Sequence, residues 1–283
     1  MCKKPYRQGL QEYGCGQCHP CRLNRRRLWT HRLLLEANLH EFSCVATLTY
    51  EVEPEGRTLV PRDMQLFLKR LRRLLGATRP LRFFGCGEYG DMGERPHYHV
   101  ALFGVATLEE ALLFRAWGKG FVHVMPLNTE TAQYVCGYVV KKLTNAEDPK
   151  VQAVLQGRHP EFVRMSLRPG IGAGAVPAIA DALNDVHGAR YVASTGDIPA
   201  ALRSGSRQFP LGRYLRRKLR EEMGFDEIGG QAITAQKQAE ELRALSDAEG
   251  GIARVLEKQR KTTAVKIQQL EGRAAIWSKK GTL

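Results

Sequence analysis

Residues 81–105 read LRFFGCGEYGDMGERPHYHVALFGV, and this stretch decides the fold expected for the chain. Two apolar runs, Leu81–Glu88 and His97–Val105, are joined by turn-forming residues, which predicts an antiparallel β-hairpin. Side chains alternate along a strand, so His97 and His99 should project from one face about 7 Å apart. The hairpin would bring Glu88 beside them.

Two imidazoles and a carboxylate in this arrangement can share one cation. They leave positions open for water and a phosphate oxygen, as a catalytic metal requires. With a hard phosphate substrate, Glu88, His97 and His99 would hold Mg²⁺ or Mn²⁺, although imidazole pairs also bind Zn²⁺ or Ni²⁺. A strand with two surface histidines is the commoner meaning of a bare H-x-H pattern. The upstream acid and Pro96 at the strand entrance argue against it here.

The flanking sequence predicts the remainder of an α+β domain. Strands are expected at Phe42–Tyr50 and Val122–Leu127, and helices at Trp29–Leu39, from Pro61 to Leu75, and from about Glu130 to Leu143 with Asn128 or Thr129 as N-cap. This order predicts an antiparallel sheet with helices packed on one face.

Composition limits the class of protein. The chain has 283 residues, a net charge of +14, 43% apolar and 25% charged residues, and 7 Cys. These values exclude a disordered polycation and a small disulfide-stapled protein. The lack of a long apolar run, and of an apolar run in the first ten residues, predicts a protein of a reducing cytosol without a membrane span. The charge indicates a polyanionic partner such as nucleic acid.

Four segments differ in composition. They are a Cys-rich, basic segment (1–30), the main folded unit (31–145), an extension containing Gly, Pro and a basic helix near 213–222 (146–224), and a helical tail (225–283). Gly170, Gly172 and Gly174 follow no apolar strand, and the chain contains no G-K-[ST], which excludes a P-loop. A flexible surface loop is expected there.

Two tyrosines stand one helical turn apart in the helix expected after the last strand. Tyr134 and Tyr138 share one face, and Lys141 and Lys142 follow three and four residues later. A phenol with its free pKa near 10 is a poor nucleophile. A metal that polarises a phosphate, together with a nearby cation, would make its attack on a phosphodiester feasible. The alternative is an amphipathic helix with two half-buried tyrosines.

The N-terminal segment carries closely spaced cysteines. Cys15, Cys18 and Cys21 follow a C-x₂-C-x₂-C pattern, and Cys2 could supply a fourth thiolate to a structural Zn²⁺. His19 in place of Cys2, an iron–sulfur cluster and reduced, unligated thiols are the alternatives.

Basic residues cluster in three patches. Residues 22–32, 62–82 and 203–220 hold nineteen of the 43 Lys and Arg residues and a single acid, Asp63. We interpret them as a track for single-stranded DNA, with a solvated face as the alternative for the last patch. The expected DNA contacts are Arg25, Arg26, Arg27, Lys69, Arg70, Arg72, Arg73, Arg213, Arg216, Arg217 and Lys218.

Three motifs taken together resemble those of HUH-superfamily replication initiators. They are Phe42–Tyr50, Glu88 with Pro96–His99, and Tyr134-x₃-Tyr138-x₂-Lys141-Lys142. More closely, the chain resembles the replication initiation proteins of single-stranded DNA microviruses of the gokushovirus-like branch. The segments CGQCHPCR, TLTYE, FLKRLRR, CGEYGDMGERPHYHVALFG, YVCGYVVKK and EFVRMSLRPGIG carry that resemblance. It covers roughly residues 1–220.

The resemblance implies a Rep-like nuclease domain and a site-specific, single-strand endonuclease and strand transferase for rolling-circle replication of a small phage genome. The enzyme would act at an origin in the host bacterial cytoplasm, with a host helicase and host replication proteins. A zinc-containing DNA-binding regulator, or a related relaxase or transposase, is the alternative.

The resemblance also implies roles for individual residues. His97, His99 and Glu88 would be the metal ligands, and Tyr134 and Tyr138 the nucleophiles. Lys141 or Lys142 would assist at the scissile phosphate. Relatives often carry a lysine between the two tyrosines, where this chain has Gly137, which leaves open which lysine serves.

Overall fold

The computed structural model of the chain describes residues 2–8, 11–90, 94–138, 149–225 and 227–279. The chain separates into two compact units. The first contains Arg26–Pro177 and Phe209–Leu211, and the second contains Met1–Arg25, Ala178–Gln208 and Gly212–Leu283. The four-segment division made from composition stays a prediction.

The elements alternate between strands and helices along most of the chain. The strands are β1 Tyr6–Gln8, β2 Gln11–Tyr13, β3 Ser43–Tyr50, β4 Arg82–Tyr89, β5 Pro96–Phe103, β6 Gly120–Pro126, β7 Phe162–Met165, β8 Ala201–Ser204 and β9 Arg207–Pro210. The helices are α1 His19–Ala37, α2 Pro61–Leu75, α3 Glu110–Trp117, α4 Thr129–Tyr138, α5 Pro149–Leu155, α6 Val176–Leu183, α7 Val186–Thr195, α8 Gly212–Glu222, α9 Glu227–Glu249 and α10 Ile252–Lys279. Short 3₁₀ turns lie at Glu55–Arg57, Thr107–Glu109 and Ala173–Ala175.

A five-stranded antiparallel sheet forms the centre of the first unit, with strand order β6-β3-β5-β4-β7. The α+β class and the antiparallel sheet are therefore confirmed. The predicted hairpin is β4–β5, in which Glu88 lies directly opposite His97. The edge strand β7 was not predicted, because four residues are too few for a clear alternating pattern.

Helices cover both faces of this sheet, so the prediction of helices on one face is wrong. On one face Leu48 and Val100 belong to a core with α2 and α3. On the other face Val45, Phe84 and Ala101 belong to a core with α1 and α4. The apolar side chains of β3 alternate between the two cores, as expected of a strand buried on both sides.

The helix boundaries follow local signals in the sequence. Pro61 starts α2 and Gly76, with a φ of +80°, ends it, as predicted. Asn128 caps α4 by accepting hydrogen bonds from the backbone N–H groups of Glu130 and Thr131. Helix α1 starts at His19, well before the predicted Trp29, because it begins inside the Cys-rich segment.

The glycine-rich stretch after β7 packs against α1, so the expectation of a flexible surface loop is wrong. The backbone N–H of Gly172 donates to Glu36 Oε2 at 2.6 Å, and Arg32 Nε donates to the Ile171 carbonyl at 2.8 Å. Gly172 has a φ of +79°, and a Cβ there would lie 3.0 Å from the Arg32 carbonyl oxygen. Glycine is therefore required by both conformation and space.

The second unit contains the predicted helical tail, in which α9 and α10 pack against each other. The predicted basic helix is α8. Its Arg216 and Arg220 both donate to Asp197, which is buried. Among the described residues, no helix combines the length and apolar character that crossing a bilayer requires.

Candidate active site

Glu88, His97 and His99 meet on the sheet face that is covered by α1 and α4. Glu88 Oε1 lies 2.8 Å from His97 Nε2 and 3.2 Å from His99 Nε2. One potential ligand atom from each residue lies within 4.8 Å of those of the other two. The hairpin register explains the cluster, because Glu88 pairs with His97 and Cys86 pairs with His99. The structure thus brings together the three residues predicted to share a cation.

The other ring nitrogen of each histidine is also engaged. His97 Nδ1 lies 2.9 Å from the Arg95 carbonyl oxygen, which can only accept, so this nitrogen carries a proton. His99 Nδ1 lies 3.0 Å from the Thr47 hydroxyl, which pairs with it across β3 and β5. Contacts of this kind fix a metal-binding imidazole with its Nε2 toward the ion.

The cluster is buried and carries a negative charge. Glu88 and His99 are 2% and 1% exposed. Burial acts to raise the pKa of the Glu88 carboxyl, but the hydrogen bonds of His97 and His99 outweigh it and hold this pKa below its ordinary value. An anionic oxygen and two imidazoles form a donor set that fits Mg²⁺ or Mn²⁺. The His97 side chain is 15% exposed and leaves the cluster a route to solvent.

Helix α4 places the first predicted nucleophile against this cluster. The Tyr134 ring meets the His99 ring edge-on, with centroids 5.2 Å apart and an interplanar angle of 83°. Tyr134 is 44% exposed, so a purely structural position in the core does not describe it. Tyr138 is the last described residue of α4, one helical turn beyond Tyr134. Lys141 and Lys142 lie outside the described residues.

An arginine from α1 lies along α4 next to the tyrosine. Arg26 Nε donates to the Gln133 carbonyl oxygen at 2.8 Å. A Cβ at Gly137 would lie 3.8 Å from this guanidinium, within ordinary contact. Sequence reasoning assigned Arg26 only to DNA contacts, because nothing in the sequence shows that α1 and α4 are neighbours.

Comparison with known proteins bears on this part of the chain. Residues 43–143 match a family model described as replication-associated protein ORF2. The matched range contains Glu88, both histidines and both tyrosines. The resemblance to phage replication proteins is confirmed.

The relatives of this chain are themselves phage proteins. It is 30% identical over 158 residues to replication-associated protein VP4 of Bdellovibrio phage phiMH2K, covering 48% of this chain and 50% of that protein. It is 30% identical over 182 residues to replication-associated protein ORF2 of Spiroplasma virus 4, covering 56% and 55%. It is 29% identical over 150 residues to replication-associated protein ORF4 of Chlamydia phage 1, covering 45% and 38%. The chain thus spans about half the length of the phage replication proteins it matches, and no solved structure matches it.

A second group of potential ligands lies in the second unit, outside the range matched to the phage replication family. The sulfur atoms of Cys2, Cys15, Cys18 and Cys21 lie within 4.8 Å of one another. The sulfur atoms of Cys2 and Cys18 are 3.9 Å apart. Tetrahedral Zn²⁺ with Zn–S bonds of about 2.3 Å separates its sulfur ligands by about 3.8 Å. The predicted four cysteines therefore come together at a spacing that fits zinc.

The backbone around the cysteines is arranged for sulfur ligands. The N–H of Cys15 donates to Cys2 Sγ at 3.2 Å, and that of Cys18 to Cys15 Sγ at 3.4 Å. Gly16 has a φ of +74°, and a Cβ at Gly14 would lie 3.0 Å from Cys21 Sγ. These glycines permit a tight turn and close packing beside a ligand sulfur.

The thiols differ in their readiness to ionise. Hydrogen bonds, first that from the Cys18 backbone, lower the pKa of Cys15 to about 6. Burial, with the neighbouring sulfurs, raises the pKa of Cys21 to about 12. Four thiolates therefore require a cation in their midst. Within the part of the chain that the structure describes, this sulfur cluster forms without His19.

Many of the predicted DNA contacts have partners within the protein. Arg70 donates to the carbonyls of Ala116 and Trp117 at 2.6 and 2.7 Å, at the end of α3. In α8, Arg216 binds Asp197, while Arg217 and Lys218 pair with Glu221. The exposed members of the predicted set are Arg25, Arg27, Lys69, Arg72, Arg73, Arg213 and Arg217.

The α2 residues of this set do not lie beside the metal cluster. Helix α2 covers the sheet face opposite to the one that carries His97 and His99. A DNA strand that contacts Lys69 or Arg73 must therefore pass around the sheet to reach Tyr134. A direct track from α2 to the tyrosines is not compatible with this layer order.

Proposed function

We propose that the chain is a metal-dependent, site-specific endonuclease and strand transferase that nicks single-stranded DNA at a phage replication origin and later rejoins it. The observation that carries this proposal is the contact of the half-exposed Tyr134 with His99, a member of the buried Glu88–His97–His99 cluster. A nucleophile candidate and a metal candidate thus occupy one site. The resemblance to phage replication-associated proteins supports a role in replication.

The chemistry is a transesterification that conserves the phosphodiester bond. Glu88, His97 and His99 would hold Mg²⁺ or Mn²⁺, which when bound polarises the scissile phosphate and neutralises its developing charge. The Tyr134 oxygen bonds to phosphorus as the bond from phosphorus to the 3′ oxygen breaks. The phenol loses a proton, and the leaving 3′ oxygen takes one up, so the products are a 5′-phosphotyrosine and a free 3′-hydroxyl.

A second tyrosine serves the closing step. Tyr138, one helical turn from Tyr134, would cut the origin regenerated after one circuit. The 3′-hydroxyl freed by that cut attacks the first phosphotyrosine, releases the tyrosine and closes the circle. Lys141 or Lys142 would assist at the phosphate. Host helicase and replication proteins in the bacterial cytoplasm would supply unwinding and synthesis.

The tyrosines provide the test of this proposal. Tyr134→Phe and Tyr138→Phe should each leave nicking but impair circle closure, and the double variant should form no covalent adduct, because phenylalanine has no oxygen to attack phosphorus. The substrate is a set of tiled single strands from the replicon that encodes the chain, with Mn²⁺ or Mg²⁺ present. Adducts are counted on denaturing gels and mapped by mass spectrometry. An adduct that persists in the double variant, or wild-type binding without any adduct, contradicts the proposal.

Two neighbouring arginines of α2 allow DNA contacts to be separated from stability. Arg73 is exposed, whereas the Arg70 guanidinium binds the end of α3. Arg73→Met should lower the slope of log Kd against log salt by about one, because one phosphate contact is lost. Arg70→Met should instead lower the free energy of unfolding by about 1.5–3 kcal/mol through the lost hydrogen bonds. Anisotropy titrations and urea unfolding measure the two effects. An Arg70 variant of normal stability and reduced salt slope would contradict this distinction.

A further inference from the structure

A recess in the first unit lies outside the candidate metal cluster and is not used by the chemistry proposed above. It has a volume of 660 Å³ and opens at the end of the sheet, where β3 ends and β6 begins. This volume is large enough for a nucleotide-sized ligand. The side chains that characterise its wall are Tyr50, Asp63, Phe114, Lys119 and Phe121.

Two aromatic side chains of this wall are exposed to solvent. Phe114, on α3, is 56% exposed, and Phe121, on the edge strand β6, is 60% exposed. Large exposed apolar side chains that share one recess indicate a binding surface more often than isolated ones do. Flat aromatic rings offer stacking surfaces for nucleobases, whatever the sequence.

The same wall carries polar groups of both kinds. The Tyr50 hydroxyl donates to Asp63 Oδ2 at 2.7 Å, and Lys119 Nζ lies 3.3 Å from Asp63 Oδ1. Asp63 is buried, whereas 40% of the Lys119 side chain is exposed. A hydrogen-bond acceptor and a cationic donor thus stand side by side next to apolar rings. This combination suits a ligand with a flat apolar face and a polar edge, as every nucleobase has.

Arg95 connects the recess to the metal cluster. Its carbonyl oxygen contacts His97 Nδ1 at 2.9 Å, and its guanidinium donates to the carbonyls of Tyr50 at 2.5 Å and Glu51 at 3.2 Å. The sheet register gives a second connection. Phe121 pairs with Thr49, and Thr49 pairs with His97, which places Phe121 and His97 about 10 Å apart across two strands.

We infer that this recess binds a nucleobase of the single-stranded DNA substrate, close in the strand to the phosphate held at the metal cluster. The aromatic rings stack on the base, and Lys119 and Asp63 face its hydrogen-bonding edge. The recess also lies on the path around the end of the sheet that a strand must follow from α2 to Tyr134. The position of the phosphate rests on the proposed function, whereas binding of a base does not.

Fluorescence anisotropy with labelled single strands, taken from the tiled set used above, tests the inference. Phe114→Ala and Phe121→Ala should each raise Kd about tenfold, because stacking on one base is lost. The slope of log Kd against log salt should stay unchanged, since neither side chain carries charge. Leu108→Ala is the matched control, because Leu108 is 96% exposed and lies outside the recess. It should bind as the wild type does.

Abasic substitutions along the strand identify the bound base. An abasic site at the occupied position should raise Kd for the wild type but have little further effect in Phe121→Ala. In a wild-type complex, 5-iododeoxyuridine at that position should photocrosslink to Phe114 or Phe121. Thermal melting of each variant checks that it is folded.

The outcomes separate this inference from the proposed function. At saturating DNA, the Phe114 and Phe121 variants should still form the tyrosine adduct. If they bind DNA like the wild type while the wild type forms adducts, the base site alone is overturned and the recess serves a different ligand, such as a protein side chain. If the wild type binds single strands with the predicted stacking loss but forms no adduct, the endonuclease proposal alone fails. If the wild type binds no single strand, both fail.

Discussion

Replacing His97 or His99 with alanine is expected to slow single-strand cleavage by about 10³-fold or more while DNA binding is largely retained. A bound divalent cation supplies several kcal/mol of transition-state stabilisation, and each 1.36 kcal/mol changes a rate tenfold. The loss follows because both Nε2 atoms lie within 3.2 Å of Glu88 Oε1, so removal of either imidazole opens the donor set. Single-turnover cleavage with Mn²⁺ measures the rate, and anisotropy measures binding.

His123 provides the matched control for these variants. It lies on the edge strand β6, opposite Thr47, and so projects from the same sheet face as His99. It is exposed and does not belong to the cluster. His123→Ala should therefore cleave as the wild type does. If His97→Ala and His123→Ala lose activity equally, or if His97→Ala loses DNA binding and cleavage together, the cluster is structural and not catalytic.

The β4–β5 hairpin shows how much of this site the sequence determines. Turn-forming residues between two apolar runs predict the pairing, and the period of two along β5 puts His97 and His99 on one face. The partner of His97 is then Glu88, as found. Local rules are sufficient here because all three residues lie within one hairpin.

Features that depend on distant contacts could not be predicted in the same way. The position of α1 and α4 on one face, and of α2 and α3 on the other, is set by packing between elements remote in the chain. The contact of Tyr134 with His99 follows from that packing, and so does the engagement of Arg70 at the end of α3. Charge counting treats all arginines alike, whereas the structure gives several of them partners within the protein.

The cysteine cluster offers the other large effect. Cys18→Ser should abolish stoichiometric zinc binding and markedly lower the melting temperature of the second unit, because the metal joins Cys2 to the start of α1. Binding of structural zinc contributes directly to folding, by about 10–16 kcal/mol in zinc-finger peptides. Only the folded protein assembles four sulfurs from residues 2–21, so most of this free energy is lost with one ligand. Elemental analysis and calorimetry provide the two measurements.

His19→Ala is the control that distinguishes the alternative ligand sets. His19 is adjacent to Cys18 but lies outside the sulfur cluster, so this variant should keep its zinc and its melting temperature. Zinc loss in His19→Ala with retention in Cys2→Ser would replace the four-cysteine site by one with three cysteines and a histidine. Iron with visible absorbance in the purified protein would identify a cluster in place of zinc. If neither metal is present and Cys18→Ser melts as the wild type does, the cysteines are unligated thiols, and the tight turn at Gly16 serves only the backbone.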